Sequence, residues 1–373
     1  IQHDDFMTMS AAERAELAAA VRDLLNEHCT EADVRRIMDT DDGFDRELWN
    51  RLAAQGITGL IVDADYGGVG LGAQELEAVA EVTGAALLPA PFLSSAVFAT
   101  ALIQAAGTDD DRQRLLPALA DGSSIATVAA TGPSGTWSPE YIALQAHSDD
   151  EHYALTGTAH YVLYGQIADV ILVVAKTHDG VGVFEVAPDA PGFERAASTV
   201  FDPTMRLSTF TFDRSPARRM GTAGWDAVDR ALSLTTIALA GEQVGGTRRI
   251  FDTTIDYLKT RIQFGRPIGS FQSLKHMAAD LLLEVESATS AAHHAAAQFD
   301  DNPTGAHGAV ALAGFACAET YHTSAMRAIQ MHGGIAFTWE HSAHLFLRRA
   351  RTSRQLFGGS RDHRERYLAA KGA

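Results

Sequence analysis

The residues best suited to gripping a ligand lie in one stretch, Arg261-Ile262-Gln263-Phe264-Gly265-Arg266-Pro267-Ile268-Gly269-Ser270-Phe271-Gln272. Two guanidiniums, two amides and two aromatic rings fall within a dozen residues. Lys275 and His276 follow shortly after. A guanidinium in an open turn is a bidentate partner for a phosphate. The stretch cannot be helical throughout: Gly265 and Gly269 free the backbone, and Pro267 pushes Arg266 away from the α region. The same residues also suit a plain corner between two helices, so spacing alone leaves both readings open.

A second group, Gln330-Met331-His332-Gly333-Gly334, combines an amide with paired glycines. Together the two stretches resemble the flavin-binding elements of the acyl-CoA dehydrogenase family, which read Arg-x-x-Phe-Gly with a later Gln, and Gln-x-x-Gly-Gly. In that family these elements hold the pyrophosphate and ADP end of an FAD seated mainly in a neighbouring subunit. The resemblance therefore assigns FAD contacts to Arg261, Gln263, Phe264, Ile268, Phe271, Gln272, Gln330, Gly333 and Gly334.

The family's reaction removes a proton from the α carbon of an acyl-CoA with a carboxylate, while the flavin accepts a hydride from the β carbon. The resemblance places that carboxylate at one of two positions. One is the turn Leu356-Phe357-Gly358-Gly359-Ser360, where Gly358 stands in place of the usual Glu. The other, counted back from Arg261, is Thr235, followed by Thr236 where many members bind substrate with Arg. Neither position offers a base. Glu242, Glu284 and Glu286 are nearby carboxylates that read as helix charges. The stretches expected to seat the flavin ring are eroded as well. Ala130-Thr131-Gly132-Pro133-Ser134-Gly135-Thr136-Trp137 and Tyr161-Val162-Leu163-Tyr164-Gly165 lack the family's acidic and hydroxyl pattern. Bulky Tyr161, Leu163 and Tyr164 would fill a ring pocket rather than line it.

Other chemistry-bearing residues carry less. Asp65-Tyr66-Gly67-Gly68-Val69-Gly70-Leu71-Gly72 is glycine-rich, but no βαβ unit surrounds it, so it reads as a structural turn. His293 and His294 are adjacent and point to different helix faces, with no carboxylate at helical spacing beside them, so no metal site is expected. Arg348, Arg349, Arg351 and Arg354 read as a solvated or interfacial helix face.

The elements positioning these residues follow from periodicity. Apolar residues at helical spacing predict helices over 9–29, 45–55, 74–83 and 94–106, with Leu116-Pro117 and Asp121-Gly122 closing the helical region. Ser10 is placed as an N-cap with Glu13 completing a capping box. From Ser124 short β-rich runs appear at 125–130, 142–146, 153–156, 170–175, 181–186 and 209–212, separated by turn residues. Long helical segments return at 226–259, 271–298, 308–331 and 340–357. The expected fold is α+β: an N-terminal helical domain (1–123), a middle antiparallel β-domain (124–224) and a C-terminal four-helix bundle (225–373). This is also the layout the resemblance implies.

With 373 residues, 46% of them hydrophobic, the chain can bury a large core. A formal net charge of −17 argues against nucleic acid or an anionic membrane as partner. Two cysteines far apart, Cys29 and Cys317, read as free thiols in a reducing cytoplasm. No apolar run resembles a signal peptide or a membrane span.

A kept phosphate clamp beside a missing base and ring seat implies, within this resemblance, a heteromer. The chain looks like the partner subunit of the α2β2 acyl-CoA dehydrogenases that actinobacteria use on steroid side-chain CoA thioesters. A homologous subunit would carry the catalytic Glu, and an electron-transferring flavoprotein would be the family's acceptor. Two alternatives stay open: a homotetramer with a relocated base such as Glu242, and a scaffold without FAD.

Overall fold

In a computed structural model, residues 9–148 and 152–372 are described. The chain begins with helices α1 (Ala11–His28), α2 (Glu31–Met38), α3 (Arg46–Ala54) and α4 (Ala73–Ala85). A π-helical segment, Phe92–Ala99, runs straight into α5 (Thr100–Ala106), and α6 (Asp109–Ala120) follows. Neither α2 nor α6 shows in the apolar periodicity. Helix α6 is built from its N-terminus instead: Thr108 and Asp111 form a reciprocal capping box, and Pro117 sits inside the helix rather than after it.

Seven strands come next: β1 (Ala126–Ala129), β2 (Gln145–Ser148), β3 (Tyr153–Leu163), β4 (Val170–Thr177), β5 (Gly180–Val186), β6 (Phe193–Ala197) and β7 (Leu207–Arg219). They form one sheet in the order β1-β4-β2-β3-β7-β5, with β6 on β7 and β4 also paired to β5. Most pairings are antiparallel, while β1 and β2 run parallel to β4. Alternate residues point inward, and Leu155, Val173, Phe184 and Phe210 are among its buried core. Strand β6 escapes sequence reading because its residues are nearly all exposed or half-buried.

The remainder is helical: α7 (Trp225–Thr260), the two-residue strands β8 (Ile262–Gln263) and β9 (Arg266–Pro267), then α8 (Gln272–Asp301), α9 (His307–His332), α10 (Ala343–Ser353) and α11 (Ser360–Ala370). Helix α11 exceeds the four segments read from periodicity. It is polar, and Asp362 caps its start by accepting from Gly359 N–H at 3.1 Å. Helix-rich, β, then helical is the architecture expected.

Two compact units emerge. The first takes Arg35–Leu76 and Pro89–Thr236, hence the sheet. The second takes Glu13–Val34, Glu77–Leu88 and Ile237–Ala373. In the first unit the glycine-rich 65–72 turn is structural: Gly70 N–H and Leu71 N–H donate to Val62 and Leu60 carbonyls, and a Cβ on Gly68 would sit 2.0 Å from Val62 O. Both cysteines are buried free thiols. No described helix is long and apolar enough to cross a membrane.

Candidate functional site

The clamp stretch leaves α7, turns back on itself and enters α8. Strands β8 and β9 pair with Ile262 opposite Pro267 and Gln263 opposite Arg266. Phe264 and Gly265 at the tip adopt φ of 52° and 74°. Two successive positive φ values make a hairpin turn of the primed type, which suits strand twist. Glycine takes this at no cost; Phe264 does not, and its ring is 90% exposed. A strained, uncovered aromatic at a hairpin tip points to a binding role.

The hairpin is stiffened from behind. Arg266 lies over the Phe271 ring, 4.1 Å from its centroid, and Phe264 meets that ring edge-on at 6.1 Å. Ile268 packs onto a core formed by Phe251, Leu258, Leu281, Val285 and Met331. Met331 belongs to the second sequence motif, so one hydrophobic cluster anchors both stretches. The side chains of Arg261, Gln263, Gln272 and Gln330 are exposed. At the end of α9, Gly333 has φ 69°, and a Cβ on either Gly333 or Gly334 would meet nothing within 4 Å. Charged and amide donors, an open backbone and an exposed ring therefore lie on one unit. That donor set fits the phosphates and adenosine of a dinucleotide.

Beside this loop is a stack that sequence reading missed. His332 lies against Tyr257 at 4.5 Å and His341 at 4.6 Å. Its Nδ1 is 2.9 Å from Ala328 O, while its buried Nε2 has no hydrogen-bond partner among the described residues. Burial lowers its pKa. Ile335, Phe337 and Trp339 follow, all exposed large hydrophobics.

The two base positions have definite environments. Thr235 and Thr236 are buried in α7, and their hydroxyls donate to Ala231 O at 2.7 Å and Leu232 O at 2.8 Å. Such bonds to the preceding turn occupy the hydroxyl proton locally. Gly358 has φ 106°, where an L-residue is strained.

Glu242 is not poised for proton transfer. Its Oε1 accepts from Arg349 Nη1 at 2.7 Å, with the two side chains 6% and 1% exposed. Arg349 also approaches Leu87 O and Leu88 O, each at 3.4 Å. This corrects the reading of the whole arginine run as a solvated or interfacial face: Arg349 is buried. Its partner comes from another helix, which local spacing could not show. Glu286 pairs with Arg248 at 2.7 Å, and Glu284 lies 3.8 Å from Arg327.

In the first unit, Thr131 and His160 exchange bonds: His160 N–H donates to Thr131 O, and Thr131 Oγ1 to His160 O. The β3–β7 register slips between Ala159 and Val162. This bulge turns Tyr161 to φ 61°, and its hydroxyl donates to Pro133 O at 3.0 Å. The Tyr161 ring also lies alongside Gly135, 3.6 Å from where a Cβ there would stand. The stretches expected to seat a ring thus come together, closed over by Tyr161, while Leu163 and Tyr164 are buried.

Comparison with known proteins agrees with the layout. Residues 11–123 match the acyl-CoA dehydrogenase N-terminal domain, and residues 222–371 the C-terminal domain. The chain is 34% identical to acyl-CoA dehydrogenase IpdE2 of Mycobacterium tuberculosis, over 94% of each chain. Among solved structures it is similar to the ChsE4–ChsE5 complex of Mycobacterium tuberculosis (TM-score 0.90, 30% identity, 98% of each chain). It is also similar to a variant of the Tcur3481–Tcur3483 steroid ACAD (TM-score 0.89, 29% identity, 97% of this chain and 98% of that one). With both domains matched and near-complete coverage at this identity, the chain belongs to the acyl-CoA dehydrogenase family.

Proposed function

We propose that this chain is the clamp-bearing subunit of a heteromeric, FAD-dependent acyl-CoA dehydrogenase, in which a homologous partner supplies the catalytic Glu and the seat for the flavin ring. One contrast carries the reading. The exposed Arg261–Phe264 hairpin and the open Gly333–Gly334 backbone can hold a dinucleotide. Gly358 and Thr235 provide no carboxylate, and Tyr161 closes over the 133–135 loop. The relatives support it, since two of the similar structures are described as a complex or a paired assembly of two differently named chains.

In this reading Arg261 engages the pyrophosphate bidentately, Gln263, Gln272 and Gln330 donate to phosphate and ribose oxygens, and Phe264 packs on the adenosine. Ile268 and Phe271 hold the hairpin in shape, and the peptide groups of Gly333 and Gly334 line the approach. Bound FAD supplies hydride acceptance from the substrate's β carbon. The substrate is an acyl-CoA, and the described steroid relative favours a bulky polycyclic acyl group; an α2β2 assembly is what the family resemblance implies. Electrons would then pass to an electron-transferring flavoprotein, as the family resemblance implies. A homotetramer using Glu242 is disfavoured by the buried Arg349 pair.

The test is to purify the chain alone and co-expressed with a homologous subunit bearing the Glu, and to measure flavin absorbance and acyl-CoA oxidation. Stoichiometric FAD and activity are expected only in the pair. Both in the lone chain would overturn the assignment.

A further inference from the structure

Away from the clamp, a second set of ligating side chains gathers in the same unit. Helix α4 contributes Glu77 and Glu81, one turn apart, and α8 contributes His293. One carboxylate oxygen from each Glu and one imidazole nitrogen lie within 4.8 Å of one another. His293 Nε2 is 2.9 Å from Glu81 Oε1 and 3.7 Å from Glu77 Oε2. A cation held by such atoms at about 2.0–2.2 Å separates its ligands by roughly 3 to 3.5 Å. The three groups need only small side-chain adjustments to reach that spacing.

The set is graded from inside to outside. The Glu77 side chain is 3% exposed, Glu81 31% and His293 57%. Glu77 is the floor, and its buried Oε1 has no hydrogen-bond partner among the described residues. Burial first, then the neighbouring Glu81 carboxylate, pushes the Glu77 carboxyl well above the usual carboxylate range, and the Arg14 guanidinium offsets this only in part. A buried carboxylate with a spare oxygen calls for a proton or a cation. The floor cannot drift, because α4 and α7 pack backbone to backbone here. A Cβ on Gly241 would lie 2.7 Å from Glu77 O, and one on Gly245 1.8 Å from Glu81 O. The sequence concealed the set because the carboxylates and the imidazole come from helices far apart in the chain.

We propose that Glu77, Glu81 and His293 bind a divalent transition-metal cation, of the zinc or manganese class, that ties α4 to α8. Imidazole with carboxylates suits these ions better than calcium or magnesium, which favour all-oxygen shells. Solvent reaches the site past His293 and fills the remaining coordination. The ion neutralises the buried Glu77 and the half-buried Glu81, and the site stands apart from the reading of the FAD clamp.

The experiment uses the full chain, stripped with EDTA and returned to buffer at neutral pH, and titrated separately with zinc chloride and manganese chloride. Calorimetry gives stoichiometry, and thermal unfolding gives the shift. One ion per chain and a rise in Tm are expected. His293→Ala, an exposed change that leaves the fold intact, should weaken binding by at least about tenfold. Glu81→Gln should do the same. Absence of binding for both ions overturns the proposal. So does binding that survives both substitutions, which marks adventitious coordination by other surface histidines. A Tm that responds to pH but not to metal also overturns it, since the cluster would then be a shared-proton latch only.

Discussion

Arg349 Nη1 donates to Glu242 Oε1 at 2.7 Å, and both side chains are buried. The pair joins α10 to α7, and Arg349 extends it to the Leu87 and Leu88 carbonyls. Removing one partner leaves an uncompensated charge out of water, which costs about 3–5 kcal/mol. Glu242→Gln and Arg349→Met should therefore each lower stability by that order in urea unfolding. In the assembled complex, acyl-CoA oxidation per folded Glu242→Gln protein should stay near wild type. A selective loss of turnover with stability retained would make Glu242 a base after all.

Arg261 and Phe264 lie outside the core, so their truncation should barely touch folding, within about 0.5 kcal/mol. Their loss should instead be felt by the cofactor. A charge-assisted hydrogen bond contributes about 1.5–3 kcal/mol, so Arg261→Ala in the complex should weaken FAD retention by roughly 10- to 100-fold. Gel filtration followed by flavin absorbance reads this directly. Unchanged flavin content would remove the clamp from the FAD site.

Gly358→Glu restores the side chain that the family resemblance expects, yet φ of 106° opposes it. Holding a side-chain-bearing residue in that region costs of order 1–3 kcal/mol. The expected result is a less stable chain without dehydrogenase activity of its own. Measurable turnover by this variant alone would show that the backbone can relax and that only the carboxylate was missing.

His363 gives a pH signature. It is buried against Gly314, and burial lowers its pKa from 6.5 to about 4. The folded state keeps the ring neutral while the unfolded state takes up a proton below about pH 6.5. The unfolded chain therefore binds more protons between these two values, and stability falls as pH drops from about 6.5 to about 4. The loss approaches about 3 kcal/mol at the acid end. Tm measured from pH 7 to 4.5 should decline, and His363→Phe should flatten that part of the slope. An unaltered slope in the variant would shift the effect to other groups.

Much of the architecture was legible because long helices such as α7 and α8 carry sustained patterns, and because Gly265 and Pro267 can only make a turn. What stayed hidden shares a cause. Arg349, Glu242 and the Glu77–His293 set are defined by pairing across sequence-distant helices, and an isolated arginine in a run of four carries no mark of burial. Helix α6 left a local signal, the Thr108–Asp111 capping box, outweighed by Pro117. The bulge that rotates Tyr161 arises from register between β3 and β7, which neither strand encodes alone.

Phe264 and Phe337 leave two large rings uncovered on one unit, at 90% and 81% exposure, and Trp339, stacked on His344, is still 53% exposed. Polypeptides that display such surfaces are prone to self-association while they wait for a mate. In the heteromer proposed above, the chain's manufacture would be a matter of supply: excess copies would precipitate or be cleared by proteases, and yield would follow whichever chain is scarcer. Matched synthesis, by shared transcription or coupled translation, would then be the natural remedy.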